Sequence, residues 1–355
     1  MTPLRRILLL VIAALLCDLV PASAQDIFEI ERGSFSTPEL VVSRAMGQRR
    51  RVQVRSTENL TGRLRIETGP ASNVVATYTK QARTDSRSRA FDYIDVISVT
   101  VDALPDYIRV DLRAPNPAPW SENMESGQVD LRITLPVDCE VRVEALYFDI
   151  EATGPFAELN IPSSYGRLDV SRVTRKLELD TKNQRVTIKD VSGDITVSTT
   201  NALLSAAGVR SPSVASRFRN DGGDIRIEDV HGQINVRNSF GRIDIVGFVA
   251  TGESSFIRGA SEPIAIEVLS MPNGQLVVTN RYDDIEMTVP SDISAYFSFS
   301  VEDNSIIEAV SLPFRADLVK PNRLAFRSGD ADVSISGSVR GKGNIYLRGT
   351  GRDNQ

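Results

Sequence analysis

Short runs in which apolar and polar residues alternate occupy most of the chain after residue 25, which is the pattern of half-buried β-strands. Before residue 163 the clearest runs are Val52–Val54, Leu64–Ile66, Val74–Tyr78, Val96–Val101, Ile108–Leu112, Val129–Leu135 and Val141–Phe148. Ser88–Asp95 departs from that pattern and reads as a short helix leading into its strand. Ala114–Gln128 holds Pro115, Pro117 and Pro119 without periodicity, so it reads as a long surface loop.

From Ser163 the alternation acquires a longer period. An eight-residue phrase returns as SSYGRLDV from Ser163, NDGGDIRI from Asn220, NSFGRIDI from Asn238 and NRYDDIEM from Asn280, with Gly259 in the same series. Asn183 and Asn201 join it if their turns are two residues shorter, giving steps of 20, 18, 19, 18, 21 and 21 residues. A second phrase follows about nine residues behind the first, as DVSGDITV from Asp190 and DVHGQINV from Asp229. RVTRKLEL from Arg172 and MPNGQLVV from Met271 are looser copies of it. Leu168, Leu177, Val186, Ile195 and Leu204 therefore recur every nine residues, followed by Ile225, Ile234 and Ile243.

A period near 20 predicts stacked coils, each carrying two short strands. The fold class expected is all-β: a parallel β-solenoid of coils of 18–21 residues, preceded by a β-rich N-terminal domain. Residues 25–162 form that domain, 163–310 the coils, and 311–355 the C-terminal strands that cap them. An uncapped stack exposes strand edges, so both flanking segments are expected to cover its ends. After Gly247 the spacing loosens, and Thr251–Ser255 reads as a protruding loop.

The expected turn ladder consists of Asn183, Asn201, Asn220, Asn238 and Asn280, with Asn220 above Asn238 at about 4.8 Å, the spacing of neighbouring strands. An inward asparagine can hydrogen-bond along the stack and satisfy turn backbone. Gly166, Gly193, Gly223, Gly232, Gly241 and Gly274 precede strands at the turns, where absence of a Cβ is useful.

The first 24 residues form a secretion leader: Arg5 and Arg6, the apolar run ILLLVIAALL, and a small-residue cleavage site at Ala22-Ser23-Ala24. Leu16 before Cys17 argues against lipid attachment. Cleavage leaves 39 basic and 45 acidic side chains, and Cys139 as the only cysteine. No intramolecular disulfide can then form, and Cys139 reads as a packed thiol. The mild acidity argues against a nucleic-acid partner, since Arg49-Arg50-Arg51 is too short for a basic stripe.

Little catalytic chemistry is available. His231 is the only histidine, at a turn in the column of Ser192. No catalytic, cofactor-binding or metal-ligating residue is assigned, because one histidine and one cysteine cannot build an imidazole or thiolate cluster. Calcium is left to Asp221, Asp224, Asp283 and Asp284 near turns, where aspartates commonly bond their own backbone. Paired carboxylates on one face would allow polysaccharide cleavage. Read coil by coil, however, one outward column gives Asp169, Thr187, Ser205, Arg226, Asp244, Ala265 and Glu286, with no two acids adjacent.

The serial phrases GDITV, GDIRI, GQINV and GRIDI, alternating with asparagine turns behind an exported β-rich segment, resemble the bacterial putative-adhesin family of exported β-strand-repeat proteins. The resemblance spans roughly Val52 to Asn304 and implies a β-solenoid body in the cell envelope, in the periplasm, at the surface or secreted. It carries over no functional residue. The expected function is non-enzymatic binding or scaffolding through an extended surface, with an unidentified envelope protein or glycan as partner. A carbohydrate-active β-helix enzyme and a self-assembling envelope scaffold remain the alternatives. No transmembrane span is expected once the leader is removed.

Overall fold

The computed structural model describes residues 26–70, 72–122, 124–302, 304–313, 315–330 and 332–351. The leader expected at 1–24 lies outside the described residues. What is described is all-β apart from the helix Arg87–Asp95. Alternation makes the strands. In Ile225–Asn238, buried Ile225, Ile227, Val230, Ile234 and Val236 are separated by polar residues facing solvent. The phase slips once, at Asp229, whose backbone is left-handed with φ of 50°. Arg172, Asp190, Gly208 and Gly247 do the same at matching places on neighbouring strands, with φ of 57°, 54°, 68° and 73°. One extra residue in that conformation bends the strand and returns the following valine or phenylalanine to the interior.

The strands form one mixed 27-stranded sheet that contains two long parallel ladders. In the first, Tyr107–Arg113, Arg51–Ser56 and Glu140–Glu144 lead to the second halves of Phe148–Ile161 and Leu168–Lys182. Asp194–Thr200, the second halves of Leu204–Asn220 and Ile225–Asn238, Ser254–Arg258 and Gln275–Asn280 follow. In the second, Ser126–Pro136 and Thr61–Gly69 lead to the first halves of the same long strands, then to Ile243–Ala250, Ile264–Ser270 and Ile285–Pro290. Val186–Ser192 lies in this ladder too.

The nine-residue recurrence alternates between the ladders. Leu168, Val186, Leu204, Ile225 and Ile243 share one column of the second. Leu177 and Ile195 are neighbours in the first, where Ile234 also lies. All are fully buried, and each contributes about 1.5–3 kcal/mol of apolar burial.

Parallel pairing runs through the boundary expected at 162/163, since Ile150 pairs with Leu168 and Leu159 with Leu177. Beyond it, antiparallel strands cover the stack: Asn73–Arg83 lies on Ser126–Pro136, and Ser98–Ala103 on Tyr107–Arg113. The expected helix forms, with Ser86 as its N-cap and Ala90, Tyr93 and Ile94 buried. The run expected at Val141–Phe148 divides, because Glu140–Glu144 belongs to the first ladder and Phe148–Ile161 opens in the second. In the loop after Ala114, Trp120 is buried and its Nε1 donates to the Asn59 carbonyl at 3.2 Å.

At the other end the segment expected to cap does two things. Arg323–Ser328 lies antiparallel on Ala295–Val301, and Arg315–Lys320, exposed along its length, lies outside it. Val333–Val339 instead slots between Gln275–Asn280 and Ala295–Val301. Ile345–Thr350 slots between Ile285–Pro290 and Ile307–Val310. The chain therefore runs out to its far end, turns, and returns to fill the layer it left. Val333, Ile335 and Val339 are buried, as an inner strand requires.

Candidate functional surfaces

One corner of the stack is built on buried amides. Asn220, Asn238 and Asn280 are 1–3% exposed. Asn220 Nδ2 donates to the Ala202 carbonyl of the preceding turn and to the Gly223 carbonyl of its own turn, both at 2.8 Å. Asn280 repeats the arrangement with Glu262 at 2.9 Å and Asp283 at 3.0 Å. Gly259 stands opposite Asn280, where a Cβ would meet the amide oxygen at 2.8 Å. Asn183 and Asn201 are placed otherwise. Both are exposed, with left-handed φ of 63° and 53°, and Asn201 Nδ2 donates to Asn183 Oδ1 at 3.3 Å. The residues in register with Asn220 are Thr199 and, one strand further, Thr181. Thr181 Oγ1 donates to the Ser164 carbonyl at 3.1 Å, so a hydroxyl does there what the amide does later. Thr181, Thr199, Asn220, Asn238, Gly259 and Asn280 each stand five residues before a second-ladder strand, and that run of small residues was the signal available.

The turn glycines lie where neighbouring turns touch. At Gly193, φ is 97° and a Cβ would strike the Arg175 carbonyl of the coil before; at Gly232, φ is 129° and the obstacle is the Ser211 carbonyl. Gly166, Gly223, Gly241 and Gly274 face the backbones of Phe148, Ala202, Gly223 and Gly252 in the same way. Turn aspartates hold backbone as well. Asp224 Oδ1 accepts from Arg242 N at 3.0 Å, Asp283 Oδ1 from Asp284 N at 2.7 Å, and Asp284 Oδ1 from Asn344 N at 2.7 Å. Among the described residues no group of three or more His, Cys, Asp or Glu side chains is arranged to hold a metal ion.

His231 is exposed at the opposite corner, in register with Arg210. Its Nε2 lies 3.3 Å from Asp229 Oδ1, while Arg210 bonds Asp229 Oδ2 at 2.6 Å. The Arg210 hydrogen bond is the main cause holding the Asp229 carboxyl below its ordinary range. Cys139 is buried, and burial pushes its thiol up to about 11.

The outer face of the second ladder carries a shallow groove of about 350 Å³ lined by Arg63, Arg65, Asp130, Asp149, Glu151, Arg167 and Asp169. Two acids are adjacent here after all, in contrast to the column expected from Asp169 to Glu286, because Glu151 on the preceding strand pairs in register with Asp169. Glu151 precedes residue 163, where the repeated phrase begins. Each acid is engaged by an arginine, Glu151 by Arg65 and Asp169 by Arg167, both at 2.9 Å. Arg63 and Asp130 pair at 2.5 Å. Charge is matched locally across this face.

The outer face of the first ladder begins the same way, with Glu140 bonded by Arg51 and reached by Arg175 at 3.3 Å. From Leu204–Asn220 onward it changes. Arg219, Arg237 and Arg258 occupy one column on three successive strands, all exposed, and none forms an ion pair among the described residues. Arg217 sits beside them, and Arg258 lies 5.6 Å over the Phe256 ring. Residues about 20 apart thus build a basic row that no contiguous run in the sequence displays.

No family model matches the chain, and no curated protein matches it. Among solved structures, it is similar to a putative cell adhesion protein from Clostridium sporogenes ATCC 15579 at 8% identity, covering 88% of this chain and 99% of that one with a TM-score of 0.21. It is also similar to a putative adhesin from Parabacteroides merdae ATCC 43184 at 8% identity, covering 87% and 95% with a TM-score of 0.24. At these TM-scores nothing is carried from either protein to this one.

Proposed function

We propose that this is an exported cell-envelope protein without enzymatic activity, acting through its outer faces in adhesion, scaffolding or protein binding. In this reading its body is a β-solenoid, whose coils between 163 and 310 continue into layers supplied by both flanking segments. The observation that carries the reading is the pair of uninterrupted parallel ladders, which sets outward side chains in straight columns along the stack. Such a surface is an extended array of repeated groups. His231 and the Glu151–Asp169 pair, the residues best suited to catalysis, are instead held by neighbouring charges.

Crosslinking in intact cells, followed by mass spectrometry, tests the reading. The expected result is an exported chain beginning at Gln25 and joined to envelope protein or glycan; a chain retained in the cytosol and joined only to cytosolic proteins overturns it.

A second reading, cleavage of a polysaccharide, is favoured by the adjacency of Glu151 and Asp169 in the groove. Incubation with envelope and plant polysaccharides distinguishes the two. New reducing or unsaturated ends, lost in a folded Asp169→Asn protein, establish the enzyme, and their absence supports the binding surface.

A further inference from the structure

We propose that the row of Arg219, Arg237 and Arg258 is a docking surface for a linear acidic polysaccharide laid along the stack, across the strands. The inference rests on the reading of the protein as an envelope-binding surface and names its ligand class. Three guanidinium groups at successive strand spacings of about 4.8 Å form a single file of cations. The same column continues through Thr279, Ser338 and Ser300 to Arg323. From Arg219 to Arg323 it crosses six strand intervals, about 29 Å. A guanidinium grips a carboxylate or sulfate through two parallel hydrogen bonds. A polymer bearing one anion per sugar, advancing by roughly one strand spacing per sugar, presents such groups in a matching file.

The surroundings favour sugar over other polyanions. Outward residues of this face from Ala215 to Ser338 include no acid; hydroxyls and amides such as Gln233, Asn235, Ser254 and Ser336 prevail, and the adjoining column also holds Phe256 and Val277, both half-buried. Such hydroxyls and amides exchange hydrogen bonds with sugar hydroxyls. A lipid surface would call for apolar side chains that enter it. Nucleic acid, with its denser charge, would meet a chain of net negative charge whose other face carries Asp130, Glu151 and Asp169. Three exposed guanidinium groups in one column, on a stretch of face that carries no acid, suit this part of the surface to an outside anion.

The exported full-length protein is titrated at low and high salt against polygalacturonate, dextran sulfate, neutral dextran, a single-stranded oligonucleotide and phosphatidylglycerol vesicles. The expected result is salt-sensitive binding to an acidic polysaccharide and none to neutral dextran; the first two arms separate carboxylate from sulfate. Arg219→Gln/Arg237→Gln/Arg258→Gln weakens it by about tenfold or more, while Arg63→Gln/Arg65→Gln on the other face leaves it unchanged. If the triple variant melts early, Arg237→Gln alone is used, and a smaller loss in the same direction is expected. Failure to bind either acidic polysaccharide, binding untouched by the arginine variants of a folded protein, or tighter binding to oligonucleotide or vesicles overturns the inference. Envelope crosslinks that persist in the triple variant and vanish in Arg63→Gln/Arg65→Gln would overturn it while leaving the broader reading intact.

Discussion

Asn220 and Asn238 pair in register on neighbouring strands, and both direct Nδ2 to the same acceptor, the Gly223 carbonyl, at 2.8 Å. One carbonyl thus ties two neighbouring strands at their ends. Removing a buried amide leaves its backbone partners short of a donor, which costs about 1–3 kcal/mol. Asn238→Ala should therefore lower unfolding stability by that amount in a urea titration. Asn201, exposed and left-handed, has a conformational role instead. Asn201→Gly should change stability little, whereas Asn201→Val should destabilise; equal effects at 201 and 238 would refute the distinction.

Gly193 and Gly232 place their α-carbons against backbone of the preceding coil. A Cβ there meets a carbonyl fixed in a ladder, not a side chain that can turn away. Gly193→Ala should lose about 1–3 kcal/mol from backbone strain alone, with the clash added. Thermal melting of the purified variant checks this, and a melting temperature unchanged from the parent would show that the coils can separate locally.

Cys139 supplies a pH prediction. Its folded-state thiol is raised to about 11 from an ordinary 9, so its contribution is fully present below about pH 9 and is lost as pH rises through about 11. The loss across that window is about 2–3 kcal/mol. Cys139→Ala should flatten this part of the stability curve. The native thiol should also resist a disulfide reagent at pH 8 and react once urea unfolds the chain.

Truncation after residue 310 removes more than a cover. It takes away the layer containing Ile335 and Ile345, so Gln275–Asn280 and Ile285–Pro290 lose a neighbour on one side. Exposed strand edges pair with other chains. The shortened protein should aggregate, seen as rising light scattering. A soluble, folded 163–310 fragment would show that neither flanking segment is needed.

The period of the repeat was legible because a strand has only two faces and each coil returns the same residue types to the same column. Leu168, Val186 and Leu204 announce one ladder, and Leu177 and Ile195 the other. Arg315–Lys320 was not legible, since an edge strand exposed along its length has no apolar alternation to display. Nor was the return of Val333–Val339 between earlier strands, because its alternation gives its face and not its neighbours. The left-handed column at Arg172, Asp190 and Asp229 had a faint signal in the polar residue before each valine. The arginine row and the Glu151–Asp169 pair appear only after strands are stacked, since their members lie far apart in the chain.

The two turns of the repeat differ in how constant their length is. Between Thr196 and Arg217, and again between Asn235 and Phe256, the step grows to 21 residues, and the added residues fall near 212–215 and 251–253, at the corner away from the asparagines. The loop expected at Thr251–Ser255 is thereby confined, because Ser254 already opens a strand. The amide corner acts as the spine of a binding, fixing the pitch of the pages, while the opposite margin is where new text can be inserted. A foreign peptide placed between Ser213 and Val214 would be displayed without disturbing the stack.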